Sequence, residues 1–82
     1  MGKPVLVELM TRSTCGSCLR VREQIMPVIM ATGATLEVVD VDEAGLATEY
    51  GDRVPVVVID GEEFACWEVD NEELREALLG GW

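Results

Sequence analysis

Two cysteines three residues apart, in the run Thr14-Cys15-Gly16-Ser17-Cys18, are the residues of this 82-residue chain best suited to chemistry. If a helix begins at the first of them, the second lies about one turn on. The two sulfurs then share a face, near the ~5.5 Å Cα separation that a disulfide favours. Cys15 would sit where unpaired N–H groups and the positive end of the helix dipole favour thiolate over thiol. Thiolate is the nucleophile, so Cys15 is expected to attack and Cys18, further inside the helix, to resolve. Half of a zinc site is the competing use of such a pair. Four ligands are normally needed, and the chain offers only Cys66 as a third sulfur and no histidine. Carboxylates or a second chain would have to complete it, so no metal is expected. The lack of histidine also excludes a Ser-His-Asp triad.

The segments that must position this pair alternate between β and helical patterns. Pro4–Met10 is a nearly unbroken Val/Leu run with one charge, Glu8, suited to a strand buried on both faces. Thr11–Gly16 is small and polar, a loop. Ser17–Ala31 places Val21, Ile25, Val28 and Ile29 on a helical stripe. Pro27 should bend that helix or shift its register, and Gly33 should stop it. Thr35–Val41 reads as a strand, Asp42–Tyr50 as a short helix ended by Gly51, and Pro55–Ile59 as the most β-prone stretch. Asp60-Gly61 is a two-residue hairpin signal, after which Glu62–Trp67 should return antiparallel. Asp70 with Glu73 three residues on reads as a capping-box-like start to a last helix, buried through Leu74, Ala77 and Leu78. The order is β-α-β-α-β-β-α. It predicts an α/β fold with a four-stranded mixed sheet and helices on both faces. The two crossovers predict parallel pairing among the first three strands, and the hairpin adds an antiparallel edge.

Length and composition bound the remaining options. Eighty-two residues are expected to form a single domain, 1–82, and 49% apolar residues can build its core despite a net charge of −10. No apolar run approaches the ~18–20 residues of a membrane span, and the start lacks a signal-peptide layout. Leu6 stands where a myristoylation pattern needs Ser or Thr. Sixteen acids against six bases argue against nucleic acid. An odd cysteine count without an export signal points to a cytoplasmic protein rather than a secreted disulfide scaffold. Charge is unevenly placed. Leu9–Arg22 holds three arginines and no acid, whereas Leu36–Asp52 holds six acids and no base. Arg12 and Arg53 are expected near the thiols, favouring Cys15 thiolate and an anionic visitor, while Arg20 and Arg22 are read as solvated surface. Cys66 is read as core, sharing a face with Phe64, with Trp67 on the other. Met10, Met26 and Met30 are read as core filler, Tyr50 as packing under the second helix, and Trp82 as disordered.

A Cys-x-x-Cys between a strand and a helix is a strong signal. Together with Thr11–Cys18, the segment Arg53-Val54-Pro55 before a Val-rich strand, the Asp60-Gly61 hairpin and an acidic last helix, it makes the whole chain resemble a glutaredoxin-like protein of the thioredoxin superfamily. Sequence alone leaves the Val54–Pro55 bond trans, since only ~5–6% of such bonds are cis. The resemblance implies a cis bond facing the cysteines, with the backbone before the proline docking a substrate strand. It also implies dithiol–disulfide exchange on protein or small disulfides, with no tightly bound cofactor and a monomeric state.

This chain departs from the family's pattern at two places. Gly16-Ser17 stands where Pro-Tyr is usual, and no Gly-Gly precedes the acidic Asp70. Val69 and Asp70 still fall at a helix start, where backbone N–H groups receive a carboxylate. The reductant therefore stays open between glutathione, as a co-substrate, and a thioredoxin-reductase-type flavoenzyme. Two rival functions stand beside exchange: an iron–sulfur cluster scaffold, and an electron-transfer module dedicated to one partner enzyme.

Overall fold

A computed structural model describes residues 5–13 and 15–81. The expectations for Pro4 as the start of the first strand, for Thr14 in the loop and for Trp82 fall outside them. Strand β1 (Leu6–Thr11) leads into helix α1 (Gly16–Thr32), then β2 (Thr35–Asp40), a one-turn helix α2 (Ala47–Tyr50), β3 (Val56–Ile59), β4 (Glu62–Cys66) and α3 (Asn71–Glu76). The four strands form one sheet in the order β2-β1-β3-β4, with the two central strands the most apolar in sequence.

Alternation along the strands separates two cores. Val7 and Leu9 of β1 and Val57 and Ile59 of β3 meet Val21, Ile25 and Ile29 of α1 and Leu74 of α3 on one face. Met10, Val56 and Val58 point to the other, where Val41 is buried and Leu46, Ala47 and Tyr50 cover them. Helices thus lie on both faces, and Tyr50 packs as expected. Gly33 caps α1 at φ 75, a conformation that glycine adopts without a Cβ clash. Asp60 and Gly61 take φ 48 and 87, the paired left-handed geometry of a two-residue hairpin turn. Asp70 caps α3, its carboxylate accepting from the Glu72 and Glu73 N–H groups.

Four expectations are corrected. β3 runs antiparallel to β1, with Met10 opposite Val56 and Val7 opposite Ile59, so only β1 and β2 are parallel. A six-residue strand is ~20 Å long, while a four-residue helix rises only ~6 Å. The short α2 cannot carry the chain back along the sheet, and β3 starts at the end where β2 stopped. The second helix is correspondingly shorter than Asp42–Tyr50, because Asp40 accepts from the Asp42 and Glu43 N–H groups and holds a turn there. Phe64 and Cys66 lie on opposite faces, Phe64 against the α1 side and Cys66 against the α2 side. A bulge between Val57 and Val58 in the β3–β4 register reverses the parity. Met10 is core, but Met30 is 75% exposed and Met26 only half-buried. Helix α1 runs on through Pro27 to Thr32, with the proline on its exposed side. The Val54–Pro55 bond is cis.

Candidate active site

One end of the sheet gathers the chemically capable residues. Thr11, the last residue of β1, is opposite Asp40 of β2, and Met10 is opposite Val56, so cis-Pro55 falls beside Thr11 at the same end. The chain then turns, the Cys15 N–H donating to the Arg12 carbonyl at 3.0 Å, and α1 begins. Cys15 occupies the capping position with extended backbone (φ −96, ψ 105), and its side chain makes no capping bond. Cys15 is partly exposed at the mouth of the helix, while Cys18, one turn in, is only 4% exposed.

The two thiols are close neighbours at one depression. Burial, foremost, and the neighbouring Cys15 thiol push the Cys18 pKa up from 9.0 to about 11, against a lowering backbone contact from Arg12. Cys18 therefore holds its proton at neutral pH. A shallow depression of about 180 Å³ opens over the pair, lined by Thr11, Arg12, Leu19, Arg22 and Val38. Leu19 and Val38 are 59% and 45% exposed, large apolar surface left uncovered around two thiols.

The arginines are placed less simply. Arg12 lines the depression, but its guanidinium grips Asp42 through two bonds, Nε to Oδ2 at 3.1 Å and Nη2 to Oδ1 at 2.9 Å, and also reaches the Gly51 carbonyl. That pair raises the guanidinium pKa, chiefly through the Asp42 hydrogen bond. A Cβ at Gly51 would collide with the Ala47 carbonyl and crowd Arg12, so glycine is what lets these two loops meet. Arg53 turns elsewhere: it pairs with Glu63, donates to the Glu49 carbonyl and lies over the Tyr50 ring. Neither cation is free beside the sulfurs. Arg22, read as solvated surface, is the further cation that lines the depression. Its signal was present, since it lies four residues after Cys18 and hence on the same helical face.

Val54 packs against the α2-side core, and Val69 is buried beside α3 with its carbonyl accepting from Gln24 Nε2. Asp70 is exposed, but its carboxylate is already committed to the first N–H groups of α3. Among the described residues, no group of three Cys, Asp or Glu side chains converges as a metal site would.

The model of the Glutaredoxin-like domain (DUF836) family matches residues 6–79, nearly the whole chain. The chain belongs to this glutaredoxin-like family. It is similar to the uncharacterised protein Rv0508 of Mycobacterium tuberculosis H37Rv, at 45% identity over 81 residues, covering 92% of this chain and 82% of that one. Among solved structures, protein Ne2328 of Nitrosomonas europaea superposes with a TM-score of 0.75 at 22% identity, covering 90% of this chain and 91% of that one. The X. campestris protein XcR50 gives 0.65 at 31% identity, covering 88% and 93%. Fasciola hepatica thioredoxin gives 0.65 at 22% identity, covering 93% of this chain and 79% of its own. The glutaredoxin-like chain thus has the thioredoxin-like fold, with its Cys-x-x-Cys at the start of the first helix.

Proposed function

We propose that this protein is a thiol–disulfide oxidoreductase. The observation that carries the reading is the asymmetry of the pair: Cys15 partly open at a helix start, and Cys18 buried one turn on beside it. Cys15 thiolate attacks one sulfur of a substrate disulfide, the substrate's S–S bond breaks, and its first thiolate leaves. Once Cys15 is consumed in the mixed disulfide, its sulfur no longer disfavours ionisation of Cys18. Cys18 gives up its proton, attacks the Cys15 sulfur and displaces the second substrate thiolate. The substrate has gained two electrons and the protein holds a Cys15–Cys18 disulfide. The Val54–Pro55 backbone docks the substrate chain at the same sheet end, and Arg22 sets a positive charge on the rim of the depression.

An external two-electron reductant, a dithiol or two monothiols, must restore the pair. Asp70 already fills the first N–H groups of α3, and Glu68 and Glu73 stand nearby, so this helix start does not suit a tripeptide carboxylate. We assign the reductant to a flavoenzyme of the thioredoxin-reductase type, in the cytoplasm. Oxidised protein and NADPH, supplied either with such a reductase or with glutathione and glutathione reductase, test this directly. Turnover only in the first arm is expected; turnover only in the second reverses the assignment. Replacing Cys15 by Ser must abolish exchange, and replacing Cys18 by Ser must leave a trapped mixed disulfide. Full activity in either variant would sink the exchange reading.

A further inference from the structure

Trp67 adopts φ 66, a left-handed backbone that is costly for a large side chain. Folding gains little from keeping it there, because the residue is 61% exposed. Its backbone N–H donates to the Pro55 carbonyl at 2.8 Å, a bond any residue but proline would make. Its indole N–H reaches only as far as the Asp52 carbonyl, at 3.4 Å. Glycine would satisfy the backbone better, so the structure gives no folding reason for an indole here.

Its position supplies one. Cys66 is opposite Val56, so Trp67 lies beside cis-Pro55 at the sheet end that carries Thr11 and the cysteines. It also lines a depression of about 650 Å³ between α1 and α3, with Arg20, Phe64, Glu68 and Val69. Arg20, Val21 and Gln24 on its rim belong to α1, the helix that begins at the cysteines. A substrate chain joined to Cys15 and running past Val54–Pro55 meets this ring as the largest uncovered apolar surface on that side. Strained backbone at an exposed side chain beside a reaction site is the pattern expected when the side chain serves a visitor rather than the core.

We propose that Trp67 is a specificity-determining residue of the exchange reaction, the contact for an aromatic or aliphatic side chain next to the reacting cysteine of a peptide or protein disulfide. The inference rests on the exchange activity proposed above. Its test compares kcat/KM for a disulfide-bridged peptide with Phe beside the cysteine and for bis(2-hydroxyethyl) disulfide. Trp67→Gly, which suits the left-handed backbone and so keeps the fold, is expected to lower the peptide-to-small-disulfide ratio about tenfold, the loss typical of a buried aromatic contact. Trp67→Phe retains the aromatic face and should restore most of it. A second readout uses Trp82→Phe together with Cys18→Ser, which leaves Trp67 as the single indole: trapping the peptide on Cys15 should shift its fluorescence. An unchanged ratio in Trp67→Gly, or an unchanged spectrum on trapping, overturns the role of Trp67 while wild-type exchange stands. A wild type that turns over neither disulfide overturns the exchange activity, and this inference with it.

Discussion

Cys18 keeps its proton because burial and the Cys15 sulfur both penalise its charge, and the consequence runs through stability as well as reactivity. At pH 7, iodoacetamide should label Cys15 well before Cys18, and in Cys15→Ser the remaining Cys18 should stay largely unlabelled; mass mapping separates both from Cys66. The stability effect has a definite sign. Well below pH 9.0 both folded and unfolded Cys18 are protonated, so it contributes no pH dependence there. Between 9.0 and about 11 the unfolded thiol loses its proton while the folded one keeps it. The unfolded state therefore gains, and the reduced protein should lose stability as pH rises through that window. Denaturant melts at pH 8 and 10.5 check this, and Cys18→Ala should flatten the slope. The place of the pair, with the first cysteine partly open at a helix start and the second buried one turn on, was legible at this scale, because spacing and helix start follow from local sequence. The partners of the arginines were not. Arg12 meets Asp42 thirty residues away and Arg53 meets Glu63 across the hairpin, choices made by sheet register.

Elements were legible where a residue type forces a backbone. The positive φ of Gly33, the Asp60-Gly61 turn and the Asp70 cap all stand where local chemistry put them. Asp70→Ala should therefore cost about 1 kcal/mol in a thermal melt, the usual price of losing an N-cap. Leu74→Ala, which opens a hole between α3 and the sheet, should cost ~2–5 kcal/mol. If the first change proved as damaging as the second, α3 would be held by its cap rather than its packing. Direction and parity were less legible. The run from Asp42 to Tyr50 carries helical residues throughout, yet Asp40 takes the first turn out of the helix and leaves a crossover too short to reverse the chain. Phe64 and Cys66 obey period two in sequence, but a single extra residue in β4 puts them on opposite faces. Met30 shows the limit of reading apolar residues as core, since α1 is long enough to extend one side into solvent.

Across the whole molecule, a net charge of −10 gives a negative overall field, with an acid-free stretch from Leu9 to Arg22 in the segment that carries the cysteines. Encounter with a basic protein should be fast at low salt and slow as salt is added. Rates of exchange with a cationic protein disulfide should fall severalfold between about 20 and 500 mM NaCl, on the scale set by screening. With an acidic protein disulfide they should rise. Equal salt dependence for both would mean that the local arginine rim, not the global field, governs approach. The same carboxylates border the sheet: the outer strand β2 carries Glu37 and Asp40, and β4, at the opposite margin, begins with Glu62 and Glu63. Unpaired strand margins invite neighbouring chains to add on, and fixed negative charge is what wards them off. Around the isoelectric point near pH 4.1 the protein's net charge, and with it the repulsion between copies, vanishes. Mild acid should therefore drive edge-to-edge self-association, visible as light scattering, before it unfolds the protein.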